Sequence, residues 1–233
     1  MDSTSSRADL DFHSVPPSQS SGERNWHEQL PVLTGPNVRL RELTSLDAAP
    51  LLAMMTPDVT RFISPPPTTI ASFEPFVAWA HRERSAGDFA CFSVTERDSD
   101  TAIGIFQVRR LDAAFDTAEW GFVLGSSFWG TGVFQESAEL VLDFVFDTVG
   151  AHRLEARSAV MNGRARGALL KIWAVQEGVL RKSFVRDGEC YDQALFSILH
   201  EDWRAAHETD AESVQWAGNV VDSSSRMHHP ARI

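Results

Sequence analysis

From Val38 to Leu43 apolar and charged side chains alternate, the pattern of a strand with one buried face. Ser45 or Asp47 then stands where a helix cap belongs, and Leu51, Leu52, Met54 and Met55 recur at helical spacing until Pro57, which should stop that helix. Pro65, Pro66 and Pro67 follow Arg61-Phe62-Ile63-Ser64 and fix φ, so this stretch is expected as a stiff loop. Phe73, Phe76, Val77 and Ala80 share a face of a second helix predicted from Ser72 to about Ser85, with Gly87 closing it.

Strands follow. Phe89–Thr95 and Ala102–Val108 flank Arg97-Asp98-Ser99-Asp100 as a hairpin, and Thr117–Leu124 extends the antiparallel meander. Leu140, Val141, Phe144 and Val145 mark one face of a helix from about Gly132 to Thr148, ended by Gly150. Arg153–Val160 alternates again. Reached from Thr117–Leu124 through one helix, it should lie parallel to that strand across a right-handed connection. Asn162 caps or precedes a short helix from about Arg164 to Trp173. Gly178–Val185 and Cys190–Leu199 close the fold as a hairpin over Asp187-Gly188, and a few helical residues are expected around Trp203. The sum is an α+β chain with a mixed, mostly antiparallel sheet.

Composition sets the limits. Residues 1–28 are rich in Ser, Asp and Pro and read as a disordered leader, 29–206 as the folded domain, and 207–233 as a flexible polar tail. With 43% hydrophobic residues among 233, the middle can build an ample core. A formal charge of −11 argues against nucleic acid as a partner, because phosphate backbones call for clustered Lys and Arg. It agrees weakly with a cationic substrate such as an amine. Cys91 and Cys190 are too few and too far apart for a disulfide framework or a metal site, and read as small buried or half-buried residues of a reducing compartment. No apolar run suits a signal peptide or a membrane span, so the cytoplasm is the expected location.

Candidate chemistry centres on Ala118–Thr148, which reads as strand, glycine turn and amphipathic helix. The turn Trp129-Gly130-Thr131-Gly132-Val133-Phe134 runs into the helix start, where N–H groups lack intrahelical partners and carry partial positive charge. Glycine there lets a ligand come close, and an anion such as a phosphate is the natural guest. A dinucleotide-binding turn is the rival reading; it would want a third glycine near Gln135 and an all-parallel sheet, and neither is visible.

The order of elements, with these residues at its centre, resembles the GNAT acetyltransferase superfamily, and within it the RimJ/RimL-like branch, over about residues 31–206. The motif R/Q-x-x-G-x-G/A falls on Trp129–Phe134, with the Trp common in that branch at its first place. Ala118–Leu124, His152–Arg157, Asn162, Gln176–Arg181, Arg186–Glu189 and Tyr191-Asp192 also match. The resemblance implies a central sheet that splays between two strands, flanked by helices, and an acetyl-CoA site without a metal. The pyrophosphate would sit on the N–H groups from Gly130 to Phe134, with Trp129, Thr131, Gly132 and Val133 completing that turn. The pantetheine would run along the main chain of Phe122, Val123 and Leu124, and Asn162 would touch the pantetheine arm or the thioester region. Asn162 has an equally good reading as a helix cap.

The implied activity is direct transfer of an acetyl group to a primary amine, at a protein N-terminus or on a small molecule, by a monomer or homodimer. Glu119 is the candidate base: it shares a strand face with Thr117, Gly121 and Val123, and Gly121 leaves room beside it. Pairing with an Arg across the sheet is the structural alternative for Glu119. Arg109, Arg110 and Arg157 are candidates for an acidic substrate or the 3′-phosphate, or else face solvent. Four positions depart from the family pattern. Phe134 takes the last small place of the motif, so its ring must turn away. Ala165 stands where many relatives carry a Ser, Leu169 where many carry an acidic Tyr, and Trp173 where a Gly is usual. The general acid is unassigned; Ser158 and Tyr191 are conceivable donors. These departures keep a second reading open, a non-catalytic acyl-CoA-binding or scaffold module that retains the fold.

Overall fold

The structure, a computed structural model, describes residues 25–207. One eight-stranded sheet runs through it. Its strands are β1 (Leu33–Thr34), β2 (Val38–Glu42), β3 (Phe89–Glu96), β4 (Ala102–Arg110), β5 (Thr117–Leu124), β6 (Arg153–Ala159), β7 (Val175–Arg186) and β8 (Glu189–Leu199). They lie in the order β1-β2-β3-β4-β5-β6-β8-β7, and among the described residues only β5 and β6 pair in parallel. The helices are α1 (Ala48–Met54), α2 (Pro57–Thr60), α3 (Ile70–Ala86), α4 (Val133–Asp143) and α5 (Gly163–Leu170), and residues 200–207 are also helical.

Two cores follow from this layering. α1 and α3 cover one face of the sheet, where Leu43, Leu51, Phe73, Val77 and Cys91 are buried. α4 packs on β1 and β2 over the other face, where Phe92, Phe106, Phe144, Leu154 and Phe196 are buried. β3 and β4 lie between the layers, which is why both read as nearly continuous apolar runs. Each fully buried Phe or Leu contributes on the order of 1.5–3 kcal/mol by leaving water.

Several local outcomes differ from the sequence pattern for identifiable reasons. α1 ends at Met54, ahead of Pro57 as expected, but Pro57 does more than stop a helix. It opens α2 from the first helical position, where a missing N–H costs nothing. The turn before α1 is anchored by Thr44 and Asp47: the buried Asp47 carboxylate accepts the Thr44 N–H at 2.9 Å and takes Arg41 Nη1 and Nη2 at 2.8 and 2.7 Å. α3 starts two residues before Ser72, because Thr69 caps it and pairs reciprocally with Ser72. The helix begun by α4 continues to Val149, but its last turn, Phe144–Val149, widens, and Gly150 N–H bonds the Val145 carbonyl five residues back. Asn162 does cap α5, accepting the Ala165 N–H at 3.1 Å.

The expected leader, 1–28, and tail, 207–233, fall largely outside the described residues. Within the described part of the leader, Trp26 is buried and packs edge-on against Phe115 and Phe144 at 5.9 and 6.0 Å, so the folded body begins before residue 29.

Candidate active site

β5 and β6 pair from Thr117↔Arg153 to Trp120↔Ala156 and then part. Beyond that point β5 keeps β4 as far as Leu124↔Gly104, and β6 keeps β8 as far as Ala159↔Gln193. Each strand therefore loses one neighbour, and the side of β5 that β6 would cover beyond Trp120 looks onto an opening instead of a strand. The break is maintained from both ends. After Leu124 the chain turns through Ser126–Phe128 into the glycine turn, and after Ala159 it turns into the Asn162 cap of α5.

Two cavities meet at this opening. The smaller, about 430 Å³, is lined by Phe122, Val123, Leu124, Trp129, Gly130, Phe134 and Asn162, all seven anticipated from sequence, together with Arg61 and Arg164. Thr131, Gly132 and Val133 lie in the same turn but outside its wall. The larger, about 600 Å³, holds Glu119, Arg109, Arg157, Gln107 and Ser158, with an apolar wall from Phe62, Pro65–Pro67, Phe73 and Phe76. Phe122, Val123, Asn162 and Ala165 line both cavities, so the two are continuous at the splay.

The glycine turn has the conformation its sequence suggested. Gly130 and Gly132 hold φ of +78° and +92°, in the left-handed region, and a Cβ at either would meet nothing within 4 Å. Backbone conformation, not crowding, is what requires glycine at these two places. The first helical bond of α4 is Glu136 N–H to Gly132 O at 3.1 Å, which leaves the N–H groups of Val133, Phe134 and Gln135 without a carbonyl inside the helix. Thr131 Oγ1 donates to Phe128 O at 2.8 Å and Trp129 Nε1 to Leu124 O at 3.0 Å, tying the turn to the end of β5. The Phe134 ring is turned onto the sheet, 4.5 Å from Phe122 and 6.0 Å from Phe106 between centroids, so only its main chain faces the turn. Glu136 anchors the helix start to β2. Burial alone would push its carboxyl up, but hydrogen bonds from Asn37 and Val38 and the nearby Arg97 bring it below the usual range.

Glu119 is already engaged. Its side chain is 14% exposed; Arg109, its cross-strand partner, donates to Oε2 through Nε at 3.0 Å and through Nη2, while Arg157 Nε stands 3.7 Å from Oε1. The third candidate, Arg110, instead pairs with Asp88 at 2.8 Å. Tyr191 donates to Glu189 at 2.9 Å on the closing hairpin and lines neither cavity, whereas Ser158 lines the larger one. The indole N–H of Trp120 is buried along the larger cavity and has no acceptor among the described residues.

Two features escaped the sequence reading. Arg164 lies over the Trp129 ring, 3.6 Å from its centroid, on the wall of the smaller cavity. Phe184 and Gln193 reach the larger cavity from the closing hairpin. No spacing signal marks either. The Arg109–Glu119 pair was findable by counting outward from the 111–116 loop, since the hairpin register places them opposite each other. Among the described residues no group of three or more His, Cys, Asp or Glu is placed to hold a metal ion, and no helix is long and apolar enough to cross a membrane.

Comparison with known proteins agrees with this geometry. Residues 37–172 match the acetyltransferase (GNAT) domain family. The uncharacterized N-acetyltransferase YoaA of Bacillus subtilis is 26% identical over 175 residues, covering 72% of this chain and 97% of that protein. The crystal structure of a GCN5-related N-acetyltransferase from Brucella melitensis superposes with a TM-score of 0.65 at 28% identity, covering 75% of this chain and 81% of that one. Mycobacterium smegmatis RimJ, solved in complex with CoA-disulfide, shares the fold with a TM-score of 0.66 at 23% identity over 76% of this chain and 89% of its own.

Proposed function

This chain belongs to the GNAT acetyltransferase family, and from that premise we propose that it is an acetyl-CoA-dependent N-acetyltransferase acting on a primary amine. The observation that carries the reading is the continuity of the two cavities at the β5–β6 splay. One cavity starts beside a glycine-turned helix N-terminus suited to a pyrophosphate, and the other brings polar and apolar side chains to the same opening.

In this reading the N–H groups from Gly130 to Phe134 receive the pyrophosphate, with Trp129, Thr131, Gly132 and Val133 shaping the turn. The amide-rich pantetheine lies strand-like along Phe122, Val123 and Leu124, using main-chain groups that lost β6 as a neighbour. Asn162 stands at the junction, where its side-chain N–H₂ remains free to donate while its Oδ1 caps α5.

The acceptor nitrogen, deprotonated, attacks the thioester carbonyl carbon. The tetrahedral oxyanion collapses, the C–S bond breaks, an amide forms, and the coenzyme A thiolate takes up a proton. Glu119 is assigned the amine's proton, directly or through water, and its ion pair with Arg109 and Arg157 fixes where the carboxylate stands. Ala165 and Leu169 have no proton to give to the thiolate. A thiol with pKa about 8.5 leaves well enough for solvent to supply that proton.

A second reading has one specific observation in its favour. With Glu119 taken up by two arginines and no donor at Ala165 or Leu169, the same site suits a non-catalytic acyl-CoA-binding module. Incubating the full chain with acetyl-CoA and a panel of primary amines, while following free thiol and acetylated amine, separates the two. Transfer to at least one amine is the expected result. Thermal stabilisation by acetyl-CoA with no turnover of any amine would favour the module.

A further inference from the structure

The larger cavity has an uneven charge inventory. Its lining carries two arginines, Arg109 and Arg157, against one carboxylate, Glu119, and its remaining polar groups, such as Gln107, Ser158 and Gln193, are neutral. A polycationic amine would meet net positive charge there. The guanidinium donors are also incompletely used. Arg109 directs Nε and Nη2 at a single oxygen of Glu119, and Arg157 makes only the 3.7 Å contact through Nε among the described residues. Guanidinium forks favour paired acceptor oxygens, so these spare N–H groups are suited to a second carboxylate.

Register fixes where that anion would lie. Arg157 follows Ala156, the last β6 residue paired with β5, and so stands level with Gly121 across the splay. Phe122 and Val123, which line both cavities, are one and two residues further along, roughly 3–7 Å at strand spacing. An amine reaching the junction would thus hold any neighbouring carboxylate beside Arg157, with its ammonium towards Glu119. The opposite wall of Phe62, Pro65–Pro67, Phe73 and Phe76 is apolar, and Ser64 brings a single neutral hydroxyl to that stretch.

We propose that the acceptor is a small zwitterion, an amino acid with an apolar or aromatic side chain, whose carboxylate is held by Arg157 and Arg109 while its side chain lies on the Phe62–Phe76 wall. This rests on the acetyltransferase reading above. It sets a free amino acid against a peptide N-terminus, where the group beside the amine is an uncharged amide.

The test compares L-phenylalanine and L-leucine with their C-terminal amides as acceptors of the full chain with acetyl-CoA. In parallel, binding of N-acetyl-L-phenylalanine and its amide is measured by calorimetry, which requires no turnover. The acids should exceed the amides by about tenfold or more in kcat/KM and in affinity. In Arg157→Gln that ratio should collapse through KM, with Arg109→Gln as a second variant and stabilisation by acetyl-CoA as the check that both remain folded. Equal or better use of the amides, no measurable binding of either N-acetyl compound, or a preference for the acid that survives in both variants would each overturn the proposal. If no amine turns over yet the N-acetyl acid still binds more tightly than its amide in an Arg157-dependent way, the transferase reading fails and the anion site stands.

Discussion

In the proposed reaction the two residues that carry most are Gly132 and Glu119, and they act in different ways. Gly132 holds φ of +92° at the cap of α4, a conformation that costs an L-residue roughly 1–2 kcal/mol. Gly132→Ala should therefore lower stability by about that amount and reduce the rise in melting temperature that acetyl-CoA produces; an unchanged ligand-induced shift would detach the turn from cofactor binding. Glu119 lies a strand register away from the turn. Glu119→Gln should cut the acetylation rate at neutral pH and leave acetyl-CoA affinity intact, because no predicted cofactor contact involves its carboxylate. An unchanged rate would make Glu119 only the partner of Arg109 and Arg157. Phe134 shows how a bulky residue is accommodated at the motif's last place: its ring joins Phe106 and Phe122, and only its main chain faces the turn.

Among the elements, β5 and β6 form the splay on which the proposed function rests, and β8 with β7 behind it flanks β6. Arg153, on β6, reaches Glu177 on β7 with Nη1 and Nη2 at 2.8 and 2.5 Å, and Ser197 on β8 donates to the same carboxylate at 2.6 Å. The Arg153 guanidinium first, and the Ser197 hydroxyl after it, hold the Glu177 carboxyl down at about 2. An unfolded glutamate titrates at about 4.3, so this contribution is full above that value and is lost as pH falls through about 2. The pair is partly exposed, and solvent screening limits it to about 0.2–1 kcal/mol. Glu177→Gln should lose that much at pH 7 and show a shallower fall in stability between about pH 4 and pH 2 by urea unfolding; an acid limb as steep as the parent's would rule the pair out as its source.

Element type and order were readable because most segments keep one clean period. β2, β5 and β6 alternate, α4 carries an apolar stripe, and Gly87 and Gly150 mark helix ends with left-handed caps. The splay itself has no signature of its own. A strand that loses its neighbour after Trp120 has the same alternation as one that keeps it, so the opening entered only through the family resemblance. Long-range partners were hidden for a similar reason. Arg164 on Trp129, Glu136 on Asn37 and Trp26 on Phe144 join segments whose separation carries no periodic mark.

At the scale of the whole molecule, two cores on opposite faces of one sheet leave its centre free to open. Cys91 lies in the first core, where burial pushes its thiol up, while Cys190 is exposed on the closing hairpin. A thiol reagent should thus label Cys190 alone in the native chain and both cysteines only after unfolding. Rapid native labelling at Cys91, read by peptide mass, would contradict a closed α1–α3 layer. Acetyl transfer at the splay can be followed by isotope. The full chain is incubated with acetyl-CoA labelled in the acetyl group and with primary amines, and products are resolved by mass. The expected result is one labelled acetyl group on an amine for each coenzyme A thiol released, with transfer lost in Glu119→Gln. Label that stays on coenzyme A with every amine, while acetyl-CoA still stabilises the fold, would contradict it.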